Sequence, residues 1–592
     1  MEFDYIVIAG YFALMVAISL LFKKMASNST SDYFRGGGKM LWWMVGATAF
    51  MTQFSAWTFT GAAGKAFNDG FAVLAVFVGN MVAYVFAYFY FARRFRQMRV
   101  DTPTEGVKRR FGSTNEQFFT WVIIPLSVIN AGVWLNGLGV FASAVFNADI
   151  ITTIYVTGAA VLVISLLSGA WGVVASDFIQ TLIVAVISIA CAIVALIFVG
   201  GPGEIVSKFD NGNGFFVGPD MNYPLLLVGS FFFFIVKQLQ SINNMQESYR
   251  FLNAKDSNNA SKAALLALGM MVVGAVIWFI PPWATNIMVP DAAQAYPALG
   301  AKAGDAVYLV FAREFMPVGT VGLLMAGLFA ATMSSMDSAL NRNSGIFVRS
   351  FYAPIMRKGQ ASDKEQLRAG QIACIVNGIL VILMAQFFNS LKHLSLFDLM
   401  MQVATLLQSP ILVPLFLGIL IRRTPKWAPW ATVVVGMGVS WSVVNIFTPA
   451  TVGSWFGMEN LTGRETGEMR TMITIAAHLI FTAGFFCLTT LFYKEENDPY
   501  IEGTKEFFKD VDTECVSEEG QDIVDRMQRN KLGTLVMLMA GGLTLMVLIP
   551  NPLWGRALFL GCAATIFAVG YALKKSSKLE KVEKPVSLTQ GS

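Results

Sequence analysis

Charge, histidine and cysteine are scarce in this sequence, and each shortage removes a class of function. Only 14% of the 592 residues are charged, well below the share in a soluble globular chain. The two histidines, His393 and His478, supply little acid–base capacity, and neither HExxH nor GxSxG occurs, so an intramembrane hydrolase has no motif to stand on. GxxxxGK[ST] is absent as well, which removes the usual route to ATP-driven pumping. The five cysteines are scattered, with Cys191, Cys374, Cys487 and Cys562 in apolar runs and Cys515 in a polar stretch. With no CxxC pair, they indicate neither a disulfide framework nor a zinc site. The opening residues, MEFDYIVIAG, lack the basic region of a cleavable signal.

What is present is hydrophobicity, 55% of the chain. A hydrocarbon core of roughly 30 Å takes about 20 helical residues. Fifteen segments qualify: 5–23, 40–66, 70–92, 118–145, 150–167, 177–199, 222–243, 261–288, 315–341, 370–390, 396–420, 427–447, 470–493, 531–549 and 553–573. Basic clusters fall at Lys23/Lys24/Arg35/Lys39, at Arg93/Arg94/Arg96/Arg99 with Lys108/Arg109/Arg110, at Arg349/Arg357/Lys358, at Arg422/Arg423/Lys426 and at Lys574/Lys575/Lys578. Each follows an odd-numbered span, whereas the loops at 67–70 and 147–150 carry no Lys or Arg. The positive-inside rule then puts the N-terminus outside and the C-terminus in the cytoplasm of a plasma (bacterial inner) membrane. The net charge of +5 follows from this topology and signals no nucleic-acid partner. The acidic stretch 494–530 reads as a solvated spacer, with regulatory docking as the alternative. Asn460-Leu461-Thr462 is a glycosylation sequon that matters only in a eukaryotic host.

A polar side chain within a span is costly and normally faces a bundle interior, a cavity or a partner. On the ninth span, Ala331, Ser334, Ser335 and Ser338 follow i, i+3, i+4, i+7 spacing and share one helix face, with Asp337 at its edge. Small hydroxylated residues in that pattern suit close helix packing. Together with a nearby carboxylate they also suit a hard cation held by oxygen. Ser176-Asp177, at the start of the sixth span, either caps a helix or adds a hard ligand for sodium or a proton. In the second span Thr52, Gln53, Ser55, Thr58 and Thr60 precede the run GAAG at 61–64. The expectation is that GAAG interrupts the helix partway across, as discontinuous helices in transporters do to bind ions and substrate; a close-packed glycine contact is the alternative.

The stretches GLFAATMSSMDSALNRNSGIF (327–347), WGVVASDFIQ (171–180), SDYFRGGGKMLWWMVG (31–46) and QVATLLQSPILVPLFLGILIRRT (402–424) together resemble the sodium:solute symporter family, over residues 1–425. The resemblance implies an all-α polytopic membrane protein with a LeuT-type core of two inverted five-helix repeats, at 40–199 and 200–425. A peripheral helix and loop at 1–39 would precede it. Two peripheral helices at 426–493, the loop at 494–530, two further helices at 531–573 and a basic tail at 574–592 would follow. It also implies sodium as coupling ion, held at a main site by the carbonyls of Met51, Phe54 and Ala331 and the hydroxyls of Ser334 and Ser335. Members with a second cation site place an aspartate at the position of Asp177 and a hydroxyl at that of Ser338. Asp337 departs from the serine found there. Two readings stand: a proton replaces or joins the second sodium, or Asp337 pairs with Arg342 or Lys237 and carries no ion. Family solute contacts correspond to Gln53, Thr58, Lys237, Gln240 and Gln402. Phe77 and Thr58 replace the glutamate and glutamine of sugar carriers, which disfavours a galactose-like binding mode.

Lys237 lies about 13 residues after Pro224, roughly 20 Å down its helix. At that depth it holds an anionic group, snorkels to the cytoplasm or pairs with Asp337 as a gate. Lys65 reaches headgroups or draws anions into a vestibule, and Trp42, Trp43 and Trp134 read as interface anchors or core. The function that follows is import, without catalysis, of a small polar organic solute: a sugar, sugar acid or other organic anion. Sodium entry drives it, each charge gaining about 2.3 kcal/mol per 100 mV. A membrane sensor on the same fold is the rival, but the tail KKSSKLEKVEKPVSLTQGS holds no phosphoacceptor histidine.

Overall fold

The computed structural model describes residues 2–26, 38–209, 214–391, 394–495, 498–517 and 521–579. Arg35 with the rest of 31–37, His393, and 580–592 of the basic tail lie outside the described residues. The chain forms two units, Met1–Val516 and Ser517–Ser592. Among the described residues the only β-pairing is an isolated bridge, Met40 with Ala254, which ties the start of the second apolar segment to the turn after the seventh.

Eleven helices among the described residues are long and apolar enough to cross a membrane, and the bent pair Ala428–Asn445 and Pro449–Trp455 makes a twelfth. Shorter apolar helices cover Phe3–Ile18 and Ile150–Leu166. The stretch Ala56–Gln97 counts once in that tally, yet it breaks at Gly70 (φ +62°) and its first part continues the helix Trp42–Gln53. All fifteen expected segments are therefore helical. The fifth and sixth segments form the helices Ile150–Leu166 and Trp171–Val199, joined by helical backbone rather than an open loop. Ser165 meets Asp337 and Asp177 lies against Ser334, so the chain turns back between them, as expected for two spans.

The second segment is broken, two turns earlier than GAAG. Helix Trp42–Gln53 stops at Phe54 (φ −114°, ψ 128°) and Ser55 (φ −146°, ψ 179°), both extended. A short turn, Ala56–Phe59, follows, and after an irregular Thr60 the helix resumes over Gly61–Asp69. GAAG is thus helical, and its glycines serve contact: a Cβ on Gly61 would sit 2.9 Å from the backbone nitrogen of Phe397. The seventh segment breaks as well. Leu225–Ile242 ends at Asn243, and the Asn244 carboxamide accepts from the backbone N–H groups of Gln246 (2.9 Å) and Glu247 (3.3 Å) to start a new turn. Each half of the core therefore opens with an interrupted helix, as a LeuT-type five-plus-five arrangement requires.

The serine-bearing helix, Thr320–Ile346, runs through the centre. Every residue in it except Val321 is buried. Glu2–Ala26, Ser113–Phe146, Ile150–Val199, Asp363–Ser390 and Trp42–Gln53 all pack around it. A helix carrying Ser, Asp, Asn and Arg inside a membrane has no face it can turn to lipid, so it is enclosed by protein on all sides. In the second unit, Gln521–Leu545 and Leu553–Leu579 pair closely through Gly533 and Gly570, where a Cβ on either would meet the other's carbonyl oxygen within 2.9 Å.

The acidic stretch is more than a solvated spacer. Pro499–Asp512 is a helix with Ile501, Thr504, Phe507, Phe508 and Val511 buried on one side. Arg110 lies fully buried beneath it. Its guanidinium donates to the carbonyls of Gly418 (3.0 Å), Ile421 (2.8 Å) and Arg422 (3.0 Å), to Thr424 Oγ1 (2.8 Å) and to the Tyr500 hydroxyl (3.3 Å). Around this plug, Asp510 pairs with Arg109 (2.6 Å), Asp512 with Arg94 (3.0 Å) and Arg422 (2.7 Å), and Glu514 with Arg93 (2.8 Å). Arg349 reaches Asp101 at 2.7 Å, so three of the basic clusters share one end of the molecule. The exposed pairs contribute little individually, whereas Arg110 caps carbonyls that the end of helix Ser409–Leu420 leaves open. Arg110→Met is expected to cost about 1–3 kcal/mol for each carbonyl left unsatisfied. It should lower the melting temperature of the purified protein and speed proteolysis around Lys494, while Arg93→Ala should change either by little.

Candidate functional site

The break at Phe54–Ser55 leaves backbone oxygens without helical partners, and the serine helix meets them. Ser335 Oγ lies 3.1 Å from the Phe54 carbonyl oxygen and 3.4 Å from that of Met51. A hydroxyl has one proton, so it can donate to only one of the two. Thr332 Oγ1, one turn before, accepts from the Ala56 N–H at 3.3 Å and holds the second half of the break in place. Ser334 Oγ, buried beside Ser335, closes no well-formed hydrogen bond among the described residues. Ala331 is buried one turn ahead of Ser335 on the same face. The result is a buried cluster of carbonyl and hydroxyl oxygens with more lone pairs than protons. That set suits a small hard cation. Among the described residues no group of three His, Cys, Asp or Glu side chains is placed to bind a transition metal.

Asp177 extends the cluster. It is fully buried, the hydroxyls of Thr48 and Ser334 lie against its carboxylate, and neither closes a well-formed hydrogen bond to it. Asp337 accepts from the Ser165 hydroxyl through Oδ1, while its Oδ2 and the Ser338 hydroxyl have no partner among the described residues. The two carboxylates are near enough to repel one another. Asp337 pairs with neither of the bases named as its alternatives: Arg342 lies 3.9 Å from Glu247 and donates to Ser127 at 3.0 Å, and Lys237 donates to Gln238 at 2.9 Å.

A central cavity of about 110 Å³ adjoins the break. Ser335 lines it as well as facing the carbonyls, so cluster and cavity share a wall. Gln53 and Lys237 line it, as expected. Thr58, Gln240 and Gln402 do not. Thr58 is turned into the packed core (1% exposed), the Gln240 carboxamide donates to the Ser409 carbonyl at 2.9 Å, and Gln402 falls outside the wall. Phe77, Trp57 and Trp134 supply aromatic surface, so Trp134 belongs to the site while Trp42 stays partly exposed at 37%. A larger cleft of about 530 Å³ beside Trp42 and Leu265 is nearly all apolar and offers a polar solute little to bond.

The sequence reading missed the charged floor. Arg250 pairs with Glu247, and with the Gln53 carboxamide oxygen turned toward it Arg250 donates at 2.7 and 3.1 Å. Both interrupted helices are thereby joined to Arg342 of the serine helix. The signal for this was Asn243-Asn244, two cap-forming residues followed closely by Glu247 and Arg250. Lys65, which lines a separate cleft, is held by Asp69 (2.6 Å) and Glu468 (2.8 Å), which removes the expectation that it reaches headgroups or draws in anions. There Asp305 accepts from the Leu396 N–H at 3.3 Å and sits against Gly64 of the broken helix.

Against known proteins, residues 33–436 match the model of the sodium:solute symporter family. The sodium/sialic acid symporter SiaT of Proteus mirabilis is 26% identical over 447 residues, 74% of this chain and 88% of that protein. The sodium/myo-inositol cotransporter 2 of Sus scrofa is 25% identical over 481 residues, 73% of this chain and 68% of that protein. Among solved structures, a Na⁺-coupled sialic acid symporter in a substrate-bound outward-open state superposes with a TM-score of 0.63 at 20% identity, covering 82% of this chain and 98% of that one. The two share a fold.

Burial pushes the Asp305 carboxyl up to about 7. A raised carboxyl binds its proton more tightly folded than unfolded, so this group's contribution to stability falls as pH rises from about 4 to about 7 and is flat above. The melting temperature of Asp305→Asn should lack that component, which paired pH series on wild type and variant will measure.

Proposed function

The chain belongs to the sodium:solute symporter family, and from that premise we propose how its residues couple sodium entry to solute import. One sodium ion is held by the carbonyls of Met51, Phe54 and Ala331 and the hydroxyls of Ser334 and Ser335. The observation that carries this reading is the Ser335 hydroxyl facing two carbonyls at the helix break, that of Phe54 and that of Met51, which also accepts the Phe54 N–H, while lining the cavity. A second cation, sodium or a proton, belongs to Asp177, Asp337 and Ser338, whose unpartnered oxygens support it. The solute is small, polar and organic, and occupies the central cavity between Gln53 and Lys237. Thr58, Gln240 and Gln402 have no part in this proposal.

Sodium at the break bridges the interrupted helix and the serine helix, and so fixes the wall of the cavity. Binding of either ligand then favours the other, because linkage between two sites is reciprocal. Inward release of sodium removes the bridge and frees the Phe54–Ser55 segment to move. The membrane potential supplies about 2.3 kcal/mol per charge at 100 mV. The N-terminus lies outside and the C-terminus in the cytoplasm, with the arginine-rich end and its acidic helix on the cytoplasmic side.

Sodium binding can be read without knowing the solute, as a sodium-dependent rise in melting temperature of the purified protein. Ser335→Ala should abolish most of that rise while leaving the protein in the membrane; an unchanged sodium response would overturn the main site. Asp177→Asn should lower the Hill coefficient for sodium, and an identical coefficient in the variant would remove the second cation.

A further inference from the structure

The wall of the central cavity has an unbalanced charge. Among the ionisable side chains lining it are three cations, Lys237, Arg250 and Arg342, and one carboxylate, Glu247. All three cations are at least nine-tenths buried, being 7%, 2% and 7% exposed. Glu247 is already engaged by Arg250, and Arg342 approaches it at 3.9 Å. Among the described residues Lys237 has only the neutral Gln238 carboxamide, at 2.9 Å. That carboxamide is itself anchored by the Asn80 side chain at 2.5 Å, so it cannot move aside to bring the lysine another partner. An ammonium has three donors, and one is used.

Resting on the symport reading above, we propose that the solute is an organic carboxylate, with its carboxylate bound to Lys237. A buried cation without a counter-charge is costly in a membrane interior, and sodium beside Ser335 adds a further positive charge to the same wall. A neutral solute leaves that excess in place, and a cationic one worsens it. An anion offsets it, and the same attraction links the two ligands: the carboxylate lowers the cost of bringing sodium to the break, and sodium strengthens carboxylate binding. The carboxamides of Asn80, Asn130 and Gln408 present donors and acceptors that match hydroxyl or carbonyl groups on the rest of such a molecule. Neither snorkelling nor a gate with Asp337 accounts for Lys237, because the side chain is buried against Gln238 and Asp337 bonds to Ser165.

The test uses the purified full-length protein with HEPES as the background anion. Melting temperature is read in sodium with pyruvate, gluconate and glucuronate, each against its neutral counterpart, pyruvamide, glucitol and glucose, and with chloride alone. At least one acid should stabilise the protein in a sodium-dependent way where its neutral partner does not. Lys237→Met should weaken the apparent Kd for that acid by roughly tenfold or more, the loss of a charge-assisted hydrogen bond. Lys237→Arg should retain most of the affinity. Both variants should keep the sodium-only stabilisation, which shows that they are folded. The proposal is overturned if no acid acts, if neutral partners act equally, if Lys237→Met binds the acid unchanged, or if chloride alone reproduces the effect. Loss of the sodium-only stabilisation in the wild type would strike the symport reading instead, and the comparison of acids with neutral partners would still decide the charge of the ligand.

Discussion

The structure depends on two residues of extended backbone, Phe54 and Ser55, in the middle of a membrane helix. An uninterrupted helix satisfies its own carbonyls, which is why helices can cross lipid at all. Opening one turn creates polar groups that hydrocarbon cannot solvate. The serine helix answers that demand from outside the chain segment: Thr332 takes the Ala56 N–H, and Ser335 faces the carbonyls of Met51 and Phe54. Those hydroxyls must in turn be kept from lipid. That requirement explains why Thr320–Ile346 is enclosed by five other helices and why the N-terminal helix contributes, with Asp4 accepting from the Gly322 N–H at 2.7 Å.

The second interruption, at Asn243–Asn244, makes the arrangement a matched pair. Gln53 stands at the end of one interrupted helix, and Glu247 and Arg250 follow the other. Arg342 and Ser127 extend the same layer into the serine helix and Ser113–Phe146. Oxygen cluster, cavity and charged layer are therefore contiguous, with Ser335 common to the first two and Gln53 to the last two. A displacement at either break must disturb bonds that reach the other. This is the structural form that coupling between an ion and a solute takes in such a fold.

Outside the core, the acidic helix shows how a polar appendage becomes part of a membrane protein. Its carboxylates meet an arginine-rich surface, and its aromatic face covers Arg110. The ion pairs position the helix, while the buried guanidinium, satisfied by several carbonyls at once, anchors it.

The apolar runs, the basic clusters and the i, i+3, i+4, i+7 serine face were all readable from the chain, because burial in lipid and helical periodicity leave a direct imprint on residue order. The resemblance to the family was carried by four stretches, at 31–46, 171–180, 327–347 and 402–424, and it singled out oxygen-bearing residues that the structure places around the helix break. Tertiary structure decided between two readings of where the helix breaks, GAAG from the residue pattern and Met51–Phe54 from the family resemblance: GAAG is helical with Phe397 packed against Gly61, and the gap lies at Phe54–Ser55, where Ser335 and Thr332 receive it. It also decided which polar residues meet. Arg250, Glu247 and Arg342 are brought to one cavity by chain segments nearly a hundred residues apart, while Gln240 is turned away by a single carbonyl of Ser409. Sequence spacing reports which face a side chain shares with its own helix, and only packing reports what stands opposite.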